Sequence, residues 1–75
     1  MSQAEDRKAF FSQSIEENLD ALYGFAIRLT GKPADAEDLV AESVARAWAA
    51  IDTLEDRARF RPWVFRILRN GYISD

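Results

Sequence analysis

The sequence predicts an all-α domain of three to four helices, and three observations carry that prediction. Apolar residues recur at three- and four-residue spacing along most of the chain, the period of a helix with one buried face. Gly31, Pro33 and Pro62 sit where helices would end or begin, and no Asn-Gly or Asp-Gly pair is flanked by alternating apolar residues. The chain has 75 residues, 48% hydrophobic and 31% charged, which suits one small core and therefore a single domain spanning residues 1–75.

The elements follow in order. Residues 4–13 read as a short first helix. A second, over residues 15–30, places Ile15, Leu19, Leu22, Tyr23, Ala26 and Thr30 along one stripe. Gly31 suits the stop of that helix, and Pro33 suits the first turn of the next. The third stretch, residues 33–51, is the most regular, with Ala36, Val40, Ser43, Val44, Ala47 and Ile51 on one face. Asp35, Asp38 and Glu42 occupy another face, and Asp35 and Glu37 complement the helix dipole near its start. Residues 52–59 hold one strong apolar side chain, Leu54, and read as a loop. A last helix over residues 61–74 puts Phe60, Trp63, Val64 and Ile67 on its core face, with Gly71 behind them.

Composition narrows the function. There is no cysteine and no histidine, so disulfides and cysteine-ligated metals are excluded and the usual general base is missing. An enzyme is disfavoured on inventory, and no cofactor or metal is implied. The N-terminus lacks the basic start and apolar run of a signal peptide, and no stretch approaches the ~18 apolar residues of a membrane span. A cytoplasmic location is the expectation.

The net charge of −3 hides a division along the chain. Residues 1–56 hold five basic and twelve acidic side chains, a balance of −7. Residues 57–74 hold five arginines and no acid, a balance of +5. Two surfaces with different partners are expected, one acidic and one able to approach phosphate. The last helix interleaves Arg61, Phe65, Arg69 and Tyr72, with Arg66 and Asn70 on one flank. Arginines neutralise phosphates and aromatics stack on unpaired bases, so this composition suits single-stranded or melted nucleic acid better than a rigid duplex. Phe65 and Tyr72 fit equally well as packing residues. The carboxylates Asp35, Asp38 and Glu42 fit either a solvated face or a docking face for a basic helix; no EF-hand spacing supports calcium.

The string LYGFAIRLTGKPADAEDLVAESVARAWAAID, followed after a short loop by FRPWVFRILRNGYISD, resembles region 2 of bacterial extracytoplasmic-function sigma factors. The resemblance runs over about residues 19–75, with several motifs in matching order. It implies a non-enzymatic transcription-initiation module. Asp38, Leu39, Glu42 and Trp48 match positions that dock on the clamp coiled coil of the RNA polymerase β′ subunit. Arg57, Arg59, Phe60, Arg61, Trp63, Arg66, Arg69 and Asn70 match the segment that holds the non-template strand of the −10 promoter element. There the loop would form a pocket for a flipped base, with Phe60 and Trp63 shaping it from beneath. Anti-sigma factors bind this domain in many members, so a sigma-like interaction domain that never touches DNA is the alternative. Two departures stand out: Ala41 where the family often has Gln, and Lys32 where a small polar capping residue is usual. The second helical domain that reads the −35 element in the family has no counterpart here, so an isolated region 2 domain is expected.

Overall fold

The computed structural model describes residues 2–74 as three α-helices, α1 (Gln3–Thr30), α2 (Pro33–Ala49) and α3 (Phe60–Ser74). Two short 3-10 turns, Ile51–Thr53 and Arg57–Arg59, lie between α2 and α3. The all-α expectation holds, with no strand among the described residues.

The expected break near residue 14 does not occur: α1 is one helix of 28 residues. At ~1.5 Å per residue it accounts for the 42 Å long axis of the molecule. Ser2 caps its start, its Oγ accepting the Glu5 N–H at 3.2 Å, while Glu5 and Asp6 lie in the first turn, where the dipole favours carboxylates. Gly31 ends it in the left-handed region at φ 75°, donating its N–H to the Ile27 carbonyl at 2.7 Å. Pro33 opens α2 as expected, and Lys32 before it offers no side-chain cap. α2 stops at Ala49 and passes into the first 3-10 turn, which carries Ile51 into the core. Asp56 caps the second turn by accepting the Ala58 N–H at 3.0 Å, and α3 follows directly.

Leu22 and Ala26 from α1, Ala36, Leu39, Val40 and Ala47 from α2, Ile51, and Phe60, Val64 and Leu68 from α3 form the core. Leu22, Val64 and Leu68 are completely shielded from solvent. Ser43, also buried, donates its hydroxyl to the Leu39 carbonyl one turn back at 2.7 Å, so its polarity is satisfied locally. Two expected stripes are rotated. On α3 the buried line is Phe60, Val64, Leu68 and Gly71, with Trp63 and Ile67 only half-buried. The reason is that α3 packs on α1 and α2 together, so its innermost line points between them. On α1 the line is Phe11, Ser14, Asn18, Leu22 and Ala26, which turns Leu19 outward to 44% exposure.

An aromatic cluster ties the first turns of α1 to the remainder. The ring of Phe60 meets Phe10 at 5.6 Å and Phe11 at 6.0 Å, both edge-to-face. Phe11 also meets Trp48 at 5.1 Å, and Phe60 meets Trp63 at 5.6 Å.

Candidate functional site

The arginine-rich segment builds a concavity of about 330 Å³ where the loop joins α3. Thr53, Leu54, Glu55 and Asp56 form its loop wall, and Arg59, Pro62, Trp63 and Arg66 form the helix side. Pro62 falls in the first turn of α3, where a missing N–H costs no helical bond. Steps of three and four residues from Trp63 place Arg66, then Arg69 and Asn70, along the same flank. Arg59, Arg66, Arg69 and Asn70 are exposed, and the three arginines form no ion pair among the described residues. The hollow is therefore edged by two arginines, Arg59 and Arg66, together with the carboxylates Glu55 and Asp56 of its loop wall, and half-buried Trp63 lies in its lining; Arg69 stands farther along the same flank. Phe60 is 4% exposed and supports Trp63 from inside the core.

The other two arginines of the sequence expectation are engaged within the fold. Arg57 pairs with Asp6 at 2.7 Å and lies 4.5 Å over the ring of Phe10. Arg61 donates to Oδ1 of Asn18 at 2.7 Å and lies 5.0 Å over Phe65. Phe65 in turn packs on Phe25 at 5.5 Å, which settles the open reading of that residue toward packing. Tyr72 stays exposed at 41%.

The acidic surface divides into two adjoining parts on α2. Asp35, Asp38 and Glu42 border a hollow of about 380 Å³ with Thr30, Leu39 and Tyr72. Leu39 is only 6% exposed and supports this ridge from below. Glu42 also reaches Arg46 at 4.0 Å, one turn on. Trp48, 41% exposed, belongs instead to the side of α2 that faces α1. There it borders an apolar depression with Phe11, Ala41 and Val44. Ala41 and Val44 continue into a larger groove of about 810 Å³, lined by Leu19, Tyr23 and Gly24 of α1 and by Val40. The sequence reading placed Leu19 and Val44 on buried stripes rather than in an open groove, and Ala41 only as a departure on the polymerase-facing side. The signal was present in α2, where Ala41, Val44 and Trp48 repeat at helical spacing beside the core stripe.

Neither region carries a cluster of three or more metal-ligating side chains among the described residues. No helix there is long and apolar enough to cross a membrane. The concavity at Trp63 uses only the loop and α3, the apolar groove only α1 and α2, and they share no residue.

Residues 14–75 match the sigma-70 region 2 family. The chain is 41% identical over 61 residues to the ECF RNA polymerase sigma factor SigL of Mycobacterium tuberculosis, covering 80% of this chain and 34% of that one. It is 37% identical over 71 residues to SigG of the same species, covering 95% of this chain and 19% of that one. With EcfG of Rhodopseudomonas palustris it shares 44% identity over 55 residues, 73% of this chain and 30% of that protein. The chain thus spans about a third or less of the length of these relatives. No solved structure matches it. The helical fold, the matched span and these relatives lead to one assignment: the chain belongs to the sigma-70 region 2 family, in the form found in extracytoplasmic-function RNA polymerase sigma factors.

Proposed function

We propose that this chain is a non-enzymatic transcription-initiation module that joins core RNA polymerase to the −10 promoter element. The single observation that carries the reading is the separation of an acidic and apolar α1/α2 surface from the concavity at the loop–α3 junction, whose helix flank carries Arg59, Arg66 and Arg69. A protein helix needs the former, with buried apolar area flanked by charge that fixes register. A melted DNA strand needs the latter.

On the polymerase side, the clamp coiled coil of β′ lies along the exposed face of α2. Asp38 and Glu42 meet its basic side chains, Trp48 and the groove at Leu19 and Val44 bury its apolar ones, and Leu39 props the ridge from below. On the DNA side, Arg59, Arg66 and Arg69 hold phosphates of the non-template strand. Asn70 bonds a base edge or the backbone. A base turned out of the stack enters the hollow over Trp63. Unstacking costs a few kcal/mol, offset by phosphate contacts and by enclosure of the base. Arg57 and Arg61 sit at the edge of this path and contribute positive potential while their side chains are held by the fold. An anti-sigma factor is a further partner for the apolar α1/α2 groove, in competition with the coiled coil.

The test is fluorescence anisotropy with a labelled library of single-stranded −10 oligonucleotides, with and without the β′ coiled coil. Salt-sensitive, sequence-dependent binding that tightens with the coiled coil is expected. Binding to the coiled coil with no DNA preference would replace this reading with a protein-interaction domain. Binding to neither would remove the functional reading and leave only the fold.

A further inference from the structure

The loop between α2 and α3 is gripped from outside by the first turns of α1. Arg7 forms an ion pair with Asp52, at the loop's beginning, and Asp6 forms one with Arg57, near its end. These are the long-range polar ties of the loop among the described residues. Its side-chain bonds are otherwise local: the Thr53 hydroxyl donates to the Ala50 carbonyl, and the Ala58 N–H donates to the Asp56 carboxylate. One turn further along α1, Phe10 lies under the Arg57 guanidinium at 4.5 Å and against Phe60 at 5.6 Å. A hollow of about 170 Å³ between the two ion pairs is lined by Arg7, Phe10, Ile51, Asp52, Leu54 and Arg57. Residues 53–56, which wall the concavity at Trp63, are therefore suspended between two fixed points.

The charge order adds specificity. Consecutive residues of α1, acidic then basic, face a basic and an acidic residue on the loop, so sliding the loop would set like charges together. Asp6, Arg7 and Phe10 all precede residue 14, where the match to the family begins.

We propose that Asp6 and Arg7 are positioning residues that fix the wall formed by residues 53–56 and thereby set which base the concavity over Trp63 accepts. This rests on the DNA reading above for its consequence, while the grip itself does not. The Arg7–Asp52 pair is the one to test, because neither residue belongs to the cationic flank assigned to phosphate.

The experiment compares the unaltered chain with Arg7→Glu, Asp52→Arg and the double swap, with Arg7→Gln as a milder variant. Amide hydrogen exchange is followed at residues 53–59, and base preference is followed on the oligonucleotide library. Arg7→Glu is expected to speed loop exchange about fivefold, the scale of an exposed ion pair, with the core amides of α2 and α3 unchanged. The double swap returns it to the original rate. The ratio of affinities for preferred and scrambled oligonucleotides falls in each single variant and recovers in the swap, which a loss of general stability would not produce. Unaltered loop exchange in both Arg7→Glu and Arg7→Gln overturns the grip. Altered exchange with an unaltered base ratio overturns its role in base choice. If the unaltered chain shows no base preference at all, the DNA reading fails, and with it that role, while the exchange rates still decide the grip.

Discussion

Arg61 of α3 donates from Nη1 to Oδ1 of Asn18 on α1 at 2.7 Å, joining residues 43 positions apart. Asn18 is 9% exposed and spends its amide N–H on the Ser14 carbonyl at 2.8 Å. Its oxygen therefore depends on Arg61, and a hydrogen bond to a charged donor contributes about 1.5–3 kcal/mol, less where water reaches one partner. Arg61 is exposed beyond this bond, so the lower end applies. Asn18→Ala and Arg61→Ala are each expected to lower unfolding free energy by about 1–2 kcal/mol in urea melts. The double variant should cost little more than either alone. Strict additivity would show that the bond contributes nothing and that Arg61 is held only by Phe65.

Two glycines on helices behave differently because of what surrounds them. A Cβ on Gly24, midway along α1, meets nothing within 4 Å, so Gly24→Ala is expected to stabilise by about 0.5–1 kcal/mol through helix propensity. A Cβ on Gly71 would come 2.6 Å from Nη1 of Arg46 and 3.8 Å from Cδ1 of Leu39. Arg46 has room to swing away, at the loss of its approach to Glu42, so Gly71→Ala should be close to neutral. In an Arg46→Ala background the same change should recover the propensity gain. Thermal melts of the four combinations check this, and equal effects in both backgrounds would mean the guanidinium does not oppose the substitution.

Lys32 stands at the N-cap of α2 with no side-chain hydrogen bond, and its cation faces the positive end of the helix. Lys32→Asp supplies an acceptor for the free N–H groups and reverses that charge, with an expected gain of about 1 kcal/mol. The Thr30 hydroxyl already accepts the Lys32 N–H at 3.4 Å, a long bond that leaves the first-turn donors of α2 unserved. A melt unchanged by the substitution would mean that water satisfies those donors equally well.

The polymerase face is tested by charge and by restoring an amide. Asp38→Arg or Glu42→Arg is expected to weaken coiled-coil binding on the order of tenfold, since like charge at a protein contact is strongly unfavourable. Single-strand binding should be unaffected, because neither residue borders the concavity at Trp63. Ala41→Gln places an amide on the exposed groove edge and should tighten coiled-coil binding severalfold. Titration of the coiled coil by anisotropy gives both numbers. Loss of DNA binding in the Asp38 or Glu42 variants would show that the two surfaces are not independent.

How much of this was readable in the chain depends on whether the controlling interaction is local. Gly31 and Pro33 were legible because one residue's own backbone limits decide the outcome. The core stripe of α2 was legible because Ala36, Val40, Ser43 and Ala47 keep a regular spacing. The continuity of α1 was not. Ser14 interrupts the apolar pattern where the break was expected, and Asn18 one turn on is polar too, yet both are buried, and the reason for the Asn18 side chain lies on α3. The site divides in the same way. That arginines crowd residues 57–69 is plain from the sequence, but their sorting is not. Arg57 is claimed by Asp6 and Arg61 by Asn18, partners 51 and 43 residues away. No periodicity of the last helix encodes either one.

That sorting yields the sharpest expectation for the DNA face. Arg66 borders the concavity and has no ion-pair partner among the described residues, whereas Asn70 continues the same flank without charge. Arg66→Ala should weaken all single-stranded oligonucleotides alike and reduce the salt slope of binding by about 0.7, the release of one counterion from a single strand. Asn70→Ala should leave the slope unchanged and act through base contacts, so that its effect varies with the oligonucleotide. Arg61→Ala, engaged with Asn18, should change the slope less than Arg66→Ala does. Anisotropy titrations over a range of salt concentrations measure all three. An Arg61 slope as large as that of Arg66 would mean that DNA releases Arg61 from Asn18 on binding, and the bond would then be exchanged for a phosphate contact.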